Sequence, residues 1–280
     1  MEQYRLRPLP LTPESVVYQR ELNLPHGNVC FSVMATRNKV TFGCSQSILL
    51  YNSQLQYESH ASLDNGLVRS VASRPASNQI YYLSSNRAVE YMPATFMFLK
   101  EQLMKFSSSN NYSSIAVNDR YVAVSNAKGY KLYVYRFSSK TSQPYFAGID
   151  KEWVRSLKFH PDGDLITLNN DSWIRKYRLS DTVAPELIWE SRTTDNKAYA
   201  LCVEQKTGLV FVTGANHMLY IISAGVSVSQ CAISLQRPNV SCCTALRLER
   251  LPEILVTKSC CKNYRYSNEE YLKYFNRLNQ

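Results

Sequence analysis

One stretch limits what this chain can fold into: Val154 to Leu179, VRSLKFHPDGDLITLNNDSWIRKYRL. It reads as three short β-strands in a row. VRSLKF alternates apolar and polar residues, Pro161-Asp162-Gly163 supplies a turn, and Leu165 to Leu168 makes a second strand. Asn169-Asn170-Asp171 turns the chain again, and Trp173 to Leu179 is the third strand. A three-stranded meander cannot cover both of its faces, so it needs neighbours of the same kind.

The sequence supplies those neighbours. Val68-Arg69-Ser70-Val71 matches Val154-Arg155-Ser156-Leu157, and each is followed seven residues after its valine by a proline, Pro75 and Pro161. A second ladder runs through the third strand of each unit. Tyr51, Tyr91, Tyr135, Tyr177, Ile222 and Tyr266 are spaced by 40, 44, 42, 45 and 44 residues. An aromatic or apolar anchor returning at that period, with three strands before it, is the pattern of propeller blades. Inner strands are expected at 29–52, 68–92, 112–137, 154–179, 198–223 and 240–267. Outer strands are expected at 55–62, 96–106, 145–149, 186–190 and 226–235.

FHPDG, a strand, an Asp-containing turn and a strand ending in an aromatic anchor resemble the WD40-repeat family. The likeness is good at 154–179 and fair at 68–92. Tyr usually stands where that family has the Trp of its Trp-Asp pair, Asp171 alone fills the turn-Asp place, and His26-Gly27 reverses the family's Gly-His. An NHL-type six-bladed propeller is a competing resemblance, on Ser114 to Val117 leading into Tyr121 to Val124. The expected fold is all-β, a single propeller of six four-stranded blades, with seven as the alternative. Residues 15–267 form it, and the strand at 15–24 completes the last blade, which removes exposed edges. Residues 1–14 read as a basic, proline-rich extended tail. Residues 268–280 read as an amphipathic helix capped by Ser267 and Glu270, with Tyr271, Tyr274, Phe275 and Leu278 on one face. That face either packs on the last blade or docks a partner.

Of 280 residues, 45% are apolar, enough for a sizeable core, and 20 are Tyr, which suits pleated, half-buried surfaces. The formal charge of +10 is compatible with acidic partners, but no basic run stands out from the scatter. Met1-Glu2-Gln3-Tyr4 leads into prolines rather than an apolar leader, and Leu209 to Val226 is broken by Gly214-Ala215-Asn216-His217. Neither secretion nor membrane insertion is expected, so the nucleus or cytoplasm is. The eight cysteines are then expected as reduced thiols. Cys242-Cys243 and Cys260-Cys261 do not make a convincing zinc site, because neighbours on a strand point to opposite faces.

No nucleophile motif, phosphate-cradling glycine loop or dinucleotide fingerprint occurs, so neither catalysis, a cofactor, a metal nor a small-molecule substrate is expected. Binding remains. The resemblance implies that the loops before the first strand and between the second and third strands share one face. That face would carry Arg69, Arg87, Trp153, Arg155, Trp173, Lys197 and Tyr199 as the leading candidates, with Lys128, Arg192, Arg237, Lys258 and Lys262 around them. Trp and Arg are the residues most enriched at binding hot spots. Trp153 has a second reading, as a core residue stapling the fourth blade. The resemblance thus implies a non-enzymatic scaffold, a subunit of a larger eukaryotic assembly with one or more protein partners. The alternative is RNA bound through a basic, aromatic-containing face.

Overall fold

A computed structural model describes residues 30–36, 39–63, 67–74, 77, 79–84, 88–93, 101–105, 112–126, 131–137, 144, 146–149, 153–193, 198–205, 208–214, 218–223, 230–234, 240–248 and 251–258. Every regular element among them is a strand. Sheet 1 holds β1 (Cys30–Ala35), β2 (Lys39–Cys44), β3 (Ser47–Asn52) and β4 (Tyr57–Ser62). Sheet 2 holds β5 (Val68–Ser73), β6 (Gln79–Ser84), β7 (Ala88–Pro93) and β8 (Glu101–Lys105). Sheet 3 holds β9 (Tyr112–Val117), β10 (Tyr121–Asn126), β11 (Lys131–Arg136) and β12 (Phe146–Ile149). Sheet 4 holds β13 (Val154–Phe159), β14 (Leu165–Asn169), β15 (Trp173–Arg178) and β16 (Glu186–Arg192). Sheet 5 holds β17 (Ala198–Val203), β18 (Leu209–Gly214), β19 (Met218–Ser223) and β20 (Gln230–Ser234). Sheet 6 shows two strands, β21 (Val240–Leu248) and β22 (Leu251–Lys258). All pairings are antiparallel between neighbours in sequence.

The core lies between the sheets. Met34, Ile48 and Leu50 of sheet 1 pack on Val71, Ile80, Tyr82 and Met92 of sheet 2. Similar slabs join sheets 2 and 3, 3 and 4, and 4 and 5. A middle strand buried on both faces loses the apolar/polar alternation, and all of β10 (YVAVSN) is buried. Gly43 allows one such contact: a Cβ there would stand 2.6 Å from Cγ1 of Val68 on the next sheet.

Four of the six expected anchors stand in register, a fifth needs correction, and Tyr266 lies outside the described residues. Tyr51, Tyr135, Tyr177 and Ile222 face equivalent residues of their second strands, Val40, Val122, Leu165 and Val210. In sheet 2 the equivalent pair is Ile80 with Met92, which is fully buried, rather than Tyr91. Tyr91 is one residue earlier, so it projects to the other face, where it stacks on Tyr81. A second correction concerns the thiols. Cys30 and Cys44 are directly opposed across β1 and β2, which puts their sulfurs within bonding reach, and they form a disulfide. Cys202 is a buried free thiol.

The repeated Val-Arg-Ser has a structural cause. The serine at the third position of a first strand accepts a hydrogen bond from the backbone N–H at the fourth position of the next first strand. Val71 donates to Ser32 at 3.0 Å and Ile115 to Ser70 at 3.2 Å. Leu157 donates to Ser114 at 3.1 Å and Leu201 to Ser156 at 3.4 Å. A first strand has one edge with no partner strand, and these hydroxyls satisfy amides there that would otherwise be stranded. Ser114→Ala is expected to cost about 1–3 kcal/mol, because it leaves the Leu157 N–H buried and unpaired. Denaturant unfolding measures this, and an unchanged midpoint would mean that the amide does not depend on the hydroxyl.

The tail at 1–14, the strand at 15–24 and the helix at 268–280, with Tyr271, Tyr274, Phe275 and Leu278, lie outside the described residues.

Candidate functional site

The first strands share a second feature. In each of the six, the pairing with the second strand slips at the second residue, and the register skips Phe31, Arg69, Ser113, Arg155, Tyr199 and Ser241. A bulge takes a residue out of the ladder and re-aims it, and bulges gather next to functional sites. The first strands also touch one another in succession, β1 on β5, β5 on β9, β9 on β13, β13 on β17 and β17 on β21, and β21 touches β1. The bulges therefore repeat at one end of the bundle of first strands. Phe31 and Tyr199 are two of the few exposed large apolar side chains, at 39% and 38%.

Around Arg155 the site is densest. Its guanidinium lies over the Trp153 ring at 5.0 Å and over the Tyr199 ring of the next sheet at 5.5 Å. Nε donates to Oδ1 of Asn170 at 2.8 Å, which fixes the fork between the two rings. Trp153 is anchored the other way: its indole N–H donates to Ser113 Oγ at 3.1 Å, and Ser113 bonds Ser125 and the Val154 carbonyl. Trp153 has a geometry compatible with either expected role. It staples sheets 3 and 4 through its N–H, and it stays partly exposed.

The turn between β14 and β15 carries the second cluster. Ser172 holds a left-handed conformation at φ 68°, and its hydroxyl accepts the Ala198 N–H of sheet 5 at 2.9 Å. Asn169 Oδ1 accepts the Trp173 N–H at 2.8 Å. The Trp173 ring then lies between two guanidinia, Arg175 and Arg192, each at 5.8 Å. Arg175 is paired with Glu190 at 3.1 Å, whereas Arg192 donates to the Asp171 carbonyl at 3.2 Å. Cation–π contacts of this kind are worth about 0.5–1 kcal/mol where exposed and more where dry.

Of the sequence candidates, the structure brings Trp153, Arg155 and Tyr199 together, joined to the Trp173 turn through Asn170. Arg69 occupies the bulge two first strands before Arg155. Arg87, Lys197, Lys128, Arg237 and Lys262 lie outside the described residues, and of Lys258 only the backbone is described. Sequence reasoning missed Phe31 and Ser113. Their repeat position was the available signal, since both stand where Arg69 and Arg155 do.

The opposite end is built differently. Lys176, 5% exposed, reaches Asp162 and lies 3.2 Å from Asp164, and His160 Nδ1 is 2.7 Å from Asp162. Burial works to raise the Asp162 pKa, but hydrogen bonds from Lys176, the Asp164 N–H and His160 outweigh it and hold the group below its usual range. A strap after β15 carries Asp181 across to sheet 3, where it meets Arg120, the Tyr121 hydroxyl at 2.6 Å and Arg136 at 3.6 Å. The Tyr121 hydrogen bond, followed by the two arginines, holds the Asp181 carboxyl below its usual range. The contribution of Asp181 to stability is therefore fully present above the unfolded-state pKa of about 4 and is lost as pH falls through the lower folded value. Thermal unfolding of the native chain and Asp181→Asn is expected to differ at pH 7 and to converge in acid. Parallel curves would mean that the carboxylate charge does not matter there.

Among the described residues no group of three His, Cys, Asp or Glu side chains is placed to hold a metal ion. No protein-family model and no curated protein matches the chain. Among solved structures, the β-propeller domain of Cps50 (Swd1) from Myceliophteria thermophila superposes with a TM-score of 0.60 at 12% identity, covering 77% of this chain and 76% of that one. The fold is a β-propeller, and the sheets are its blades.

Proposed function

We propose that the chain is a non-catalytic scaffold subunit of a larger eukaryotic complex, which docks a protein partner on the end of the propeller where the bulges gather. The observation that carries this is the stack of Trp153, Arg155 and Tyr199 across two blades, at positions the fold has lifted out of its ladders. Prepositioned aromatic and arginine side chains lose little entropy on binding, which is why they dominate interface energetics. The six bulge positions hold two arginines, two aromatics, two serines and no acid. The segment they suit is a protein segment with a carboxylate beside an apolar side chain.

We read the propeller as a closed ring of six blades. The contacts of β21 with both β17 and β1 support this. So does the burial of Val33, Val40, Phe42, Leu49 and Tyr51 on blade 1, a cluster separate from the one shared with blade 2. In this reading residues 15–24 supply a strand of blade 6.

The test is to isolate the tagged protein from its native cells, with and without nuclease, beside a Tyr199→Ala variant. A fixed set of proteins that survives nuclease and is depleted from the variant is the expected result. Partners lost on nuclease treatment, with RNA enriched, would replace this reading with an RNA-binding face.

A further inference from the structure

Among the described residues the serine latches do not run all the way round. Four junctions have one: Ser32 joins blade 1 to 2, Ser70 joins 2 to 3, Ser114 joins 3 to 4 and Ser156 joins 4 to 5. At the equivalent place on blade 5 stands Ala200, and on blade 6 Cys242. Alanine has no acceptor, and a thiol is a weak one. The third position of these two first strands therefore offers no hydroxyl to the next strand's fourth amide, which is Cys243 on one side and Val33 on the other.

We infer that blade 6 is the joint at which the ring opens, and that the binding mouth is rigid over blades 1 to 5 and adjustable where blade 6 completes it. This rests on the closed six-blade ring read above. Arg69, Ser113 and Arg155 sit on blades latched on both sides, so the cationic half of the mouth is rigid. Phe31 and Tyr199, the two exposed aromatics of the mouth, sit on blades 1 and 5, the two neighbours of the unlatched blade. Both rings are latched to the arginine-bearing blades, Phe31 through Ser32 and Tyr199 through Ser156, so opening displaces blade 6 relative to a fixed arc. The partner's carboxylate and apolar side chain both meet the fixed arc, and the blade 6 side of the mouth adjusts to the width of the segment. Packed rings yield where few hydrogen bonds resist, so the joint follows from the uneven distribution of latches.

Hydrogen exchange at the six fourth-position amides, Val33, Val71, Ile115, Leu157, Leu201 and Cys243, tests this in the full chain. Val33 and Cys243 are expected to exchange on the order of fivefold faster than the other four, the effect of one missing net hydrogen bond. Ala200→Ser is expected to slow Cys243 and leave Val71 unchanged, and Cys242→Ser to slow Val33. Equal protection of all six amides, unaltered by either serine, would overturn the joint and leave the ring standing. Exchange of Val33 and Cys243 at the rate of an unstructured chain in all three proteins would overturn the closed ring, and the joint with it.

Discussion

Lys176→Ala is expected to lower the unfolding free energy by about 3 kcal/mol, near the lower end of what breaking a buried ion pair costs. The ammonium is almost fully buried, and it meets Asp162 and Asp164. Removing it leaves Asp164, itself 8% exposed, with only the distant Arg178 guanidinium at 4.0 Å. The Asp162 carboxyl also loses the hydrogen bond that most favours its charged form. The damage spreads to the next blade, because His160 packs against Gly208, where even a Cβ would collide with the imidazole ring. Lys176→Met separates charge from packing: it keeps the stem and loses the ammonium, so it should recover only part of the loss. Chemical denaturation measures both. A loss below about 1 kcal/mol, the range of an exposed ion pair, would show that water reaches the cluster.

The second large effect is on binding. Arg155→Lys keeps the charge but loses the planar fork that stacks between Trp153 and Tyr199 while donating to Asn170. Lysine is a point charge and cannot reproduce that geometry. Partner affinity is expected to fall by about 2 kcal/mol, or roughly 30-fold, the size of a hot-spot loss. The unfolding midpoint should move little, because the stack is partly exposed and Trp153 keeps its own bond to Ser113. Titration with the purified partner measures the change. Equal affinity for the two proteins would move the docking surface elsewhere.

Much of the fold was legible because a propeller repeats. The period of the anchors placed the strands of five blades, and the outer strand expected at 186–190 appears at Glu186–Arg192. The one misplaced anchor, Tyr91 for Met92, came from weighting aromatic character over register in a stretch where both residues are large. The bulges were not legible, since a slip in pairing depends on two strands and leaves no composition of its own. The latches were half legible: Val-Arg-Ser was visible twice, but its serine acts on a strand about forty residues away. Lys176 reads in sequence as a solvated charge between Arg175 and Arg178, and only the fold turns it inward. The disulfide escaped notice because fourteen residues of separation say nothing about being opposed across a hairpin.

At the mouth, the family resemblance put Trp153, Arg155, Trp173 and Tyr199 on one face, and Trp and Arg are the types most enriched at binding hot spots. What sequence could not give was the order of stacking. Arg155 bridges rings from two repeats more than forty residues apart, and Trp173 stacks with Arg192 from a different strand of its own blade.

The most direct measurement is a hydrogen-exchange footprint of the full chain, alone and saturated with the partner that co-isolates with it. The account predicts new protection at 153–156, 169–173 and 198–201, the segments that carry Trp153, Arg155, Trp173 and Tyr199. Protection confined to the outer strands, or to the end that carries Lys176 and Asp181, would contradict it.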